Sequence, residues 1–356
     1  EHDFSIREKT FRLGGSQRLQ VQDYRRVFLV PAYTGWSSGL WLSRNGRWRE
    51  WTMDAVLRAD AHLIWASWMR NNTAYRDARQ FANVSAGLTM NRRLFKGISY
   101  EQNLLRQWRN PWLNELYSDG VHRGSGAYER GNRNLRAEHS LKWEHRLLVN
   151  RHSLFAEWTL FGNRVQHFMN LEPSGKGVLT VRGALPLFEY RQYNALFFGT
   201  NLQFRKTLNK VWQLQGRLDA VYARNLDSQR VVPLIPPVQA SLGLSRKFGL
   251  WTFNLNPAYT AKTIGYVQGS DFLPPPADYL LIHADISMNK KLGAHELMLQ
   301  LGVHNLGNKR YRDYLNRFRY FADEAGRNIW LRAVLELHRH VAREETIQPD
   351  EIQIIK

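Results

Sequence analysis

The 356-residue chain has no cysteine. Disulfides, thiolate nucleophiles and cysteine metal sites are therefore excluded. It also lacks any apolar run near the roughly 18 residues that a membrane helix needs. That absence excludes a helical membrane protein but not a transmembrane barrel, whose strands alternate and leave only a weak hydropathy signal. There is no Gly-rich phosphate loop, no Gly-x-Ser-x-Gly elbow and no His-Glu-x-x-His helix. With its carboxylates scattered, the chain is not read as an enzyme, and no cofactor is implied. Acidic residues are scarce: 31 Asp plus Glu face 50 Lys plus Arg, a formal charge of +19. Such a balance points to anionic partners: lipid headgroups, nucleic acid or an acidic ligand. The chain opens Glu1-His2-Asp3, without initiator Met or signal peptide. We read it as processed or as part of a longer product.

What the chain has in quantity is period-two alternation. Leu297, Leu299, Leu301 and Val303 fall on one face, and Glu296, Gln300 and His304 on the other. Ile329, Leu331, Ala333 and Leu335 oppose Asn328, Arg332 and Glu336. Trp212, Leu214, Leu218 and Tyr222 oppose Gln213, Gln215, Arg217 and Asp219. Leu57, Ala59 and Leu63 oppose Arg58, Asp60 and His62. These runs are about 10 residues or longer, against about 5–6 for a soluble strand, and about 10 suffice for a tilted strand to cross a bilayer. The polar faces carry both signs of charge, which a watery lumen accepts and a dry core does not. Aromatics reach 13%, which suits interfacial girdles.

The pattern predicts an all-β fold, an antiparallel transmembrane β-barrel of about 16 strands. It places strands near 4–13, 16–24, 33–45, 47–65, 83–94, 97–108, 136–148, 151–161 and 164–171. Further strands fall near 187–205, 209–224, 235–247, 249–262, 277–290, 294–305 and 326–338. Long loops are expected at 109–135, 172–186, 225–234, 263–276 and 306–325, with short turns at the other rim. The barrel is assigned 1–338, and 339–356 is a polar tail at the periplasmic side. The long alternating strands match no nucleic-acid module, so nucleic acid is set aside.

Three segments then resemble TonB-dependent outer-membrane receptors. The first runs Arg109-Asn110-Pro111-Trp112-Leu113-Asn114-Glu115-Leu116-Tyr117, through Asp119 and His122, to Gly131-Asn132-Arg133-Asn134-Leu135 and Glu138. It is similar to the family's Arg-x-Pro…Glu-Leu-Tyr…Gly-Asn-Pro-Asn-Leu segment. The second is Phe188-Glu189-Tyr190-Arg191-Gln192 with Asn194-Ala195 and Gly199, followed by Ile235-Pro236-Pro237. The third is Asn305-Leu306-Gly307-Asn308-Lys309-Arg310-Tyr311, ending Gly326-Arg327, which resembles the family's closing hairpin. The resemblance covers about Pro31 to Leu337. It departs in length, in the family's 22 strands, in a plug domain and TonB box that are not found here, and in Arg133 and Ala137 where the family has prolines.

The resemblance implies an outer-membrane barrel for active uptake of a scarce solute such as a metal chelate, haem or glycan. The alternative is a plugless, receptor-derived barrel acting as a structural subunit of a larger outer-membrane assembly. Expected partners are outer-membrane lipid and lipopolysaccharide, a plug or other envelope subunits from another chain, and TonB if a plug with a TonB box exists elsewhere. Candidate ligand contacts lie on one extracellular loop: Glu115, Tyr117, Asp119, His122 and Arg123. His122 with Asp119 or Glu115 is a potential metal ligand set; a solvated loop histidine is the competing reading, and the metal stays unassigned. His338 and His340 share one face if the last strand continues. Asn114, Leu116, Gly131, Asn132, Asn305, Leu306, Tyr311, Gly326 and Arg327 are expected to shape the motifs.

Overall fold

A computed structural model describes residues 2–7, 11–23, 29–70, 73–181 and 183–337. His338, His340 and the tail assigned to 339–356 lie outside the described residues.

Among the described residues the alternation folds into one 17-stranded sheet. The strands are β1 (His2–Arg7), β2 (Phe11–Gln22), β3 (Ala32–Trp48), β4 (Trp51–Arg70), β5 (Thr73–Phe95), β6 (Ile98–Arg109), β7 (Asp119–His122), β8 (Ala127–Arg130) and β9 (Glu138–Arg151). They continue as β10 (Leu154–Thr180), β11 (Gly183–Thr207), β12 (Trp212–Asn225), β13 (Gln239–Phe248), β14 (Trp251–Thr260), β15 (Tyr279–Leu292), β16 (His295–His304) and β17 (Asn328–Glu336). Fifteen of them, β1–β6 and β9–β17, pair antiparallel with their neighbours and form the wall. The short β7 and β8 form a hairpin between β6 and β9, and β8 pairs parallel with β11 at Leu187–Glu189. β17 pairs antiparallel with β16 over Glu296–His304.

Register decides the faces, because a one-residue slip would invert them. Leu297, Leu299 and Leu301 stand opposite Leu335, Ala333 and Leu331, so the apolar sets of β16 and β17 share one side. The polar sets line up equally: Arg217 of β12 meets Ser241, Asp219 meets Gln239, and Asn254 of β14 meets Asp285. The apolar side is open to the surroundings, with Leu331 76% and Leu19 65% exposed. The outside of this molecule is therefore its greasy side, opposite to a water-soluble protein.

Short turns join β3–β4, β5–β6, β9–β10, β13–β14 and β15–β16 at one rim. At the β5–β6 turn Gly97 has φ +74°, and an added Cβ would lie 2.4 Å from the Asn150 carbonyl, so only glycine fits. The other rim carries the long connections. The loop expected at 109–135 holds a short helix, α1 (Leu113–Tyr117), and the β7–β8 hairpin. The loop expected at 172–186 is not a loop. Expected strands 151–161 and 164–171 merge into the single β10, and β10 and β11 continue past the wall as a paired ribbon. Two register shifts, at Val165/Phe168 and Pro173/Gly177, absorb the irregular residues. β5 likewise starts at Thr73 rather than near 83, and the strand expected at 4–13 is divided between β1, which ends at Arg7, and β2, which starts at Phe11.

The buried apolar residues gather at this long-loop end. Leu116, Leu135, Met169 and Tyr190 form one cluster, and Tyr193, Ala195, Ala223 and Val232 another. The core fixes the loops to the wall instead of filling the sheet's concavity.

Candidate functional site

The loop between β6 and β9 is built around Glu115. Its buried carboxylate accepts the Trp112 N–H at 2.7 Å and two bonds from the Arg109 guanidinium, at 2.8 and 3.1 Å. Arg109 also donates to Glu138 at 3.2 Å. The start of α1 thus tethers to both strands that bracket the loop. Gly131 closes the loop's far side: an added Cβ would stand 2.6 Å from the Leu116 carbonyl carbon. The Gly131 and Asn132 amides donate to the Ser118 and Glu115 carbonyls at 2.6 and 2.7 Å. Asn114 donates to the Tyr190 hydroxyl at 2.8 Å, and Leu116 is fully buried.

The structure gives each of the five residues expected to bind ligand its own set of partners. Glu115 is occupied as described. Tyr117 donates to Asp77 at 3.0 Å and stands 5.3 Å from the Trp68 ring. Burial, then the Asp77 bond, raises its phenol above the ordinary tyrosine range. Asp119 accepts from the Tyr128 hydroxyl at 3.0 Å. The exposed His122 meets buried Glu129 through Nδ1 at 2.8 Å, and Arg317 reaches the same carboxylate at 2.6 Å. Arg123 is exposed at the start of a 3-10 turn. Among the described residues no group of three or more His, Asp or Glu is placed to hold a metal ion.

A second belt ties the remaining loops together. Arg319 and Asp271, both buried, form an ion pair, and the Arg319 guanidinium lies 5.0 and 4.6 Å from the Tyr314 and Tyr320 rings. Arg317 stands 4.5 Å from the Phe188 ring. In the closing hairpin, Asn305 brackets Lys309 with two 2.8 Å bonds, and the Leu306 amide donates to Ile282. Arg327 donates to the Leu306 carbonyl at 3.0 Å, and its amide to Asn308 at 2.9 Å. Gly326 packs against Asn308, and the Tyr311 and Tyr279 rings lie 4.6 Å apart, tilted at 43°.

The inner face of the wall is a field of paired charges. Arg58 holds Asp60 at 2.6 Å, Arg146 holds Glu101 at 2.7 Å, Lys142 holds Glu144 at 2.6 Å and Arg217 holds Asp219 at 2.5 Å. A concavity of about 920 Å³ lies against β2–β4. Ser16, Ser37, Trp41, Arg58, Asp60 and His62 line it, and the Arg109–Leu113 segment overhangs it. His62 bonds Ser37 at 2.8 Å, and Arg58 donates to Ser16 at 3.1 Å. This face offers a solute both charged and hydroxyl groups. The alternation of charged residues announced a polar face; which charges pair depends on register, which one strand's sequence does not contain.

No family model and no curated protein matches the chain. Solved structures do. The copper transporter OprC is 17% identical, with a TM-score of 0.73, and the match covers 94% of this chain and 55% of that one. The chain has the barrel fold of TonB-dependent outer-membrane receptors. The FrpB iron transporter of Neisseria meningitidis (F3-3 variant) matches at 13% identity and TM-score 0.66, over 94% of this chain and 54% of that one. The ferric enterobactin receptor PfeA of Pseudomonas aeruginosa matches at 15% identity and TM-score 0.54, over 92% and 54%. The chain spans about half the length of these structures. All three are transporters or receptors, not enzymes. Within this receptor-barrel fold, the loop anchored by Arg109 and Glu115 and the belt anchored by Arg319 and Asp271 sit at the long-loop rim.

Proposed function

We propose that the chain is part of the wall of an outer-membrane receptor that takes up a scarce solute by TonB-driven transport. The observation that carries this reading is the two-faced wall: an apolar outer side and an inner side of paired charges, in the fold of known metal and siderophore transporters. An apolar outer face of this kind is stable in lipid and unstable in water. The short-turn rim faces the periplasm and the long-loop rim faces outward. The solute is a metal ion or a metal chelate, the cargo class named for the neighbours. Its path follows the inner face past Arg58, His62 and Trp41, with a plug from elsewhere in the receptor gating the lumen. Metal-limited growth tests this. Cells deleted for the gene should accumulate less of one metal or chelate, and tonB disruption should give the same loss. Unchanged accumulation across copper, iron and ferric siderophores would reject it.

A second reading is a structural subunit whose wall is completed by partner chains. It draws support from the strand count: fifteen wall strands among the described residues, against the 22 of large outer-membrane transporters. Planar-bilayer recording separates the two. A large ohmic conductance from the purified chain fits a wall that closes without a plug, and a defined hetero-oligomer on native gels fits the subunit.

A further inference from the structure

His283 of β15 and His304 at the end of β16 face each other across the strand pair, on the inner side of the wall. The last register pair, Ala284 with Val303, places them directly opposite. Their Nδ1 atoms are hydrogen-bonded at 3.3 Å, one ring donating and the other accepting, and a metal ion would take the place of the shared proton. The two rings are splayed at 68°, with centroids 5.3 Å apart. We propose that this pair binds a divalent first-row metal ion of borderline softness, Cu²⁺ most tightly, through the two facing imidazole nitrogens.

Three observations carry it. The first is bite. A metal bound to imidazole at about 2.0–2.1 Å in a tetrahedral site separates two ligand nitrogens by about 3.3 Å, which is the separation found here. The second is preorganisation. His283 lies within β15 and His304 ends β16, so both backbones are held by the sheet, and the His304 ring lies near-parallel to Trp330 at 5.9 Å and 26°. Trp330 is held in turn over Gly302, where an added Cβ would stand 2.2 Å from its ring. The third is access. His304 is exposed and His283 half-buried, so water can complete the coordination sphere. Asn305 donates its amide to His283 Nδ1 at 3.4 Å, a long bond that a cation must displace to bind there. Imidazole suits Cu²⁺, Ni²⁺ and Zn²⁺, and at equal geometry Cu²⁺ binds best. No third His, Asp or Glu joins the pair among the described residues. Two protein ligands and exchangeable waters make a transfer point, not a permanent structural site. That role on a solute path rests on the transport reading above; the binding itself does not.

The test is equilibrium titration of the purified, folded chain with Cu²⁺ alone, with Zn²⁺ and Mg²⁺ as further arms. A His338→Ala/His340→Ala background removes the tail imidazoles as competing ligands. Cu²⁺ should bind one equivalent with two-nitrogen hyperfine structure in electron paramagnetic resonance, Zn²⁺ more weakly, and Mg²⁺ not at all. His304→Ala and His283→Ala should each weaken Cu²⁺ binding about tenfold or more, while His152→Ala should leave it unchanged. Heat-modifiable gel migration confirms that each variant is folded, and His304→Gln provides a second, less disruptive variant. The same affinity and spectrum in wild type and both alanine variants would overturn the site. Loss of binding with unchanged metal accumulation in cells would leave the site standing and sink only its part in transport.

Discussion

The Arg109 guanidinium grips both oxygens of the Glu115 carboxylate, at 2.8 and 3.1 Å, and joins the last residue of β6 to the first turn of α1. The pair is charge-assisted and bidentate, the strong form of such contacts. Glu115→Ala removes the acceptor for Arg109 and for the Trp112 amide together. A fully buried group left unsatisfied costs about 1–3 kcal/mol, and these partly exposed groups cost less because water reaches them. The urea midpoint of the folded barrel should fall, and Glu115→Gln, which keeps one acceptor, should fall less. An unchanged midpoint in both variants would show that the loop holds without this contact.

Gly131→Ala should release the same loop by sterics alone, since its Cβ would collide with backbone and not with a movable side chain. Limited proteolysis should then cut within 110–137. Gly46→Ala, where nothing lies within 4 Å, should leave the cleavage pattern as it is.

The face assignment predicts an asymmetry between adjacent residues of β17. Leu331 lies on the outer side and Arg332 on the inner, opposite Gln300. A charge facing lipid at mid-depth costs about 2–4 kcal/mol, and a charge on the lumen side much less. Leu331→Arg should reduce heat-stable barrel in outer-membrane fractions, and Arg332→Leu should not. Equal tolerance would mean that the faces are misassigned.

Asp323 supplies a pH test outside the wall. Hydrogen bonding from Arg312, reinforced by Arg310, holds its carboxyl below the ordinary carboxylate range. Its folded-state pKa is depressed, so its contribution is present above the unfolded pKa and lost as pH falls through the folded value. Proteolysis of 305–327 should therefore stay slow at neutral pH and rise only under strong acid. Asp323→Asn should make that segment equally susceptible at pH 7 and pH 4. A variant as protected as wild type at pH 7 would remove Asp323 from the hairpin's support.

The wall was legible wherever one face is consistently apolar. Leu297 to Val303 and Ile329 to Leu335 alternate without interruption, and the structure pairs them side by side. Legibility failed where polar residues lie on both faces. The start of β5, with Arg76, Asp77, Arg79 and Gln80, carries no apolar stripe. The structure shows it held instead by loop contacts, such as Arg79 to the Arg133 and Leu135 carbonyls. The β10–β11 ribbon was hidden by Pro173 and Gly175, which read as a turn and in fact sit at a register shift. The loop residues are partnered by groups far away in sequence: Glu115 with Glu138 around Arg109, Tyr117 with Asp77, and Glu129 with Arg317. No spacing rule reaches across such separations. The facing imidazoles escaped for the same reason, since His283 and His304 become neighbours only through the register of β15 and β16.

The Arg317–Glu129 contact spans 188 positions of the chain. Because Arg317 belongs to the connection before the final strand, the hairpin of β7 and β8 cannot reach its finished state until nearly the whole polypeptide has been laid down. Closing so long a loop carries only a slowly growing entropy cost, about 0.6 kcal/mol per doubling of length, but it imposes a sequence in time. During assembly the earlier rim must wait, incompletely fastened, for the last hairpin to arrive, and Glu129 serves as the latch that this arrival closes.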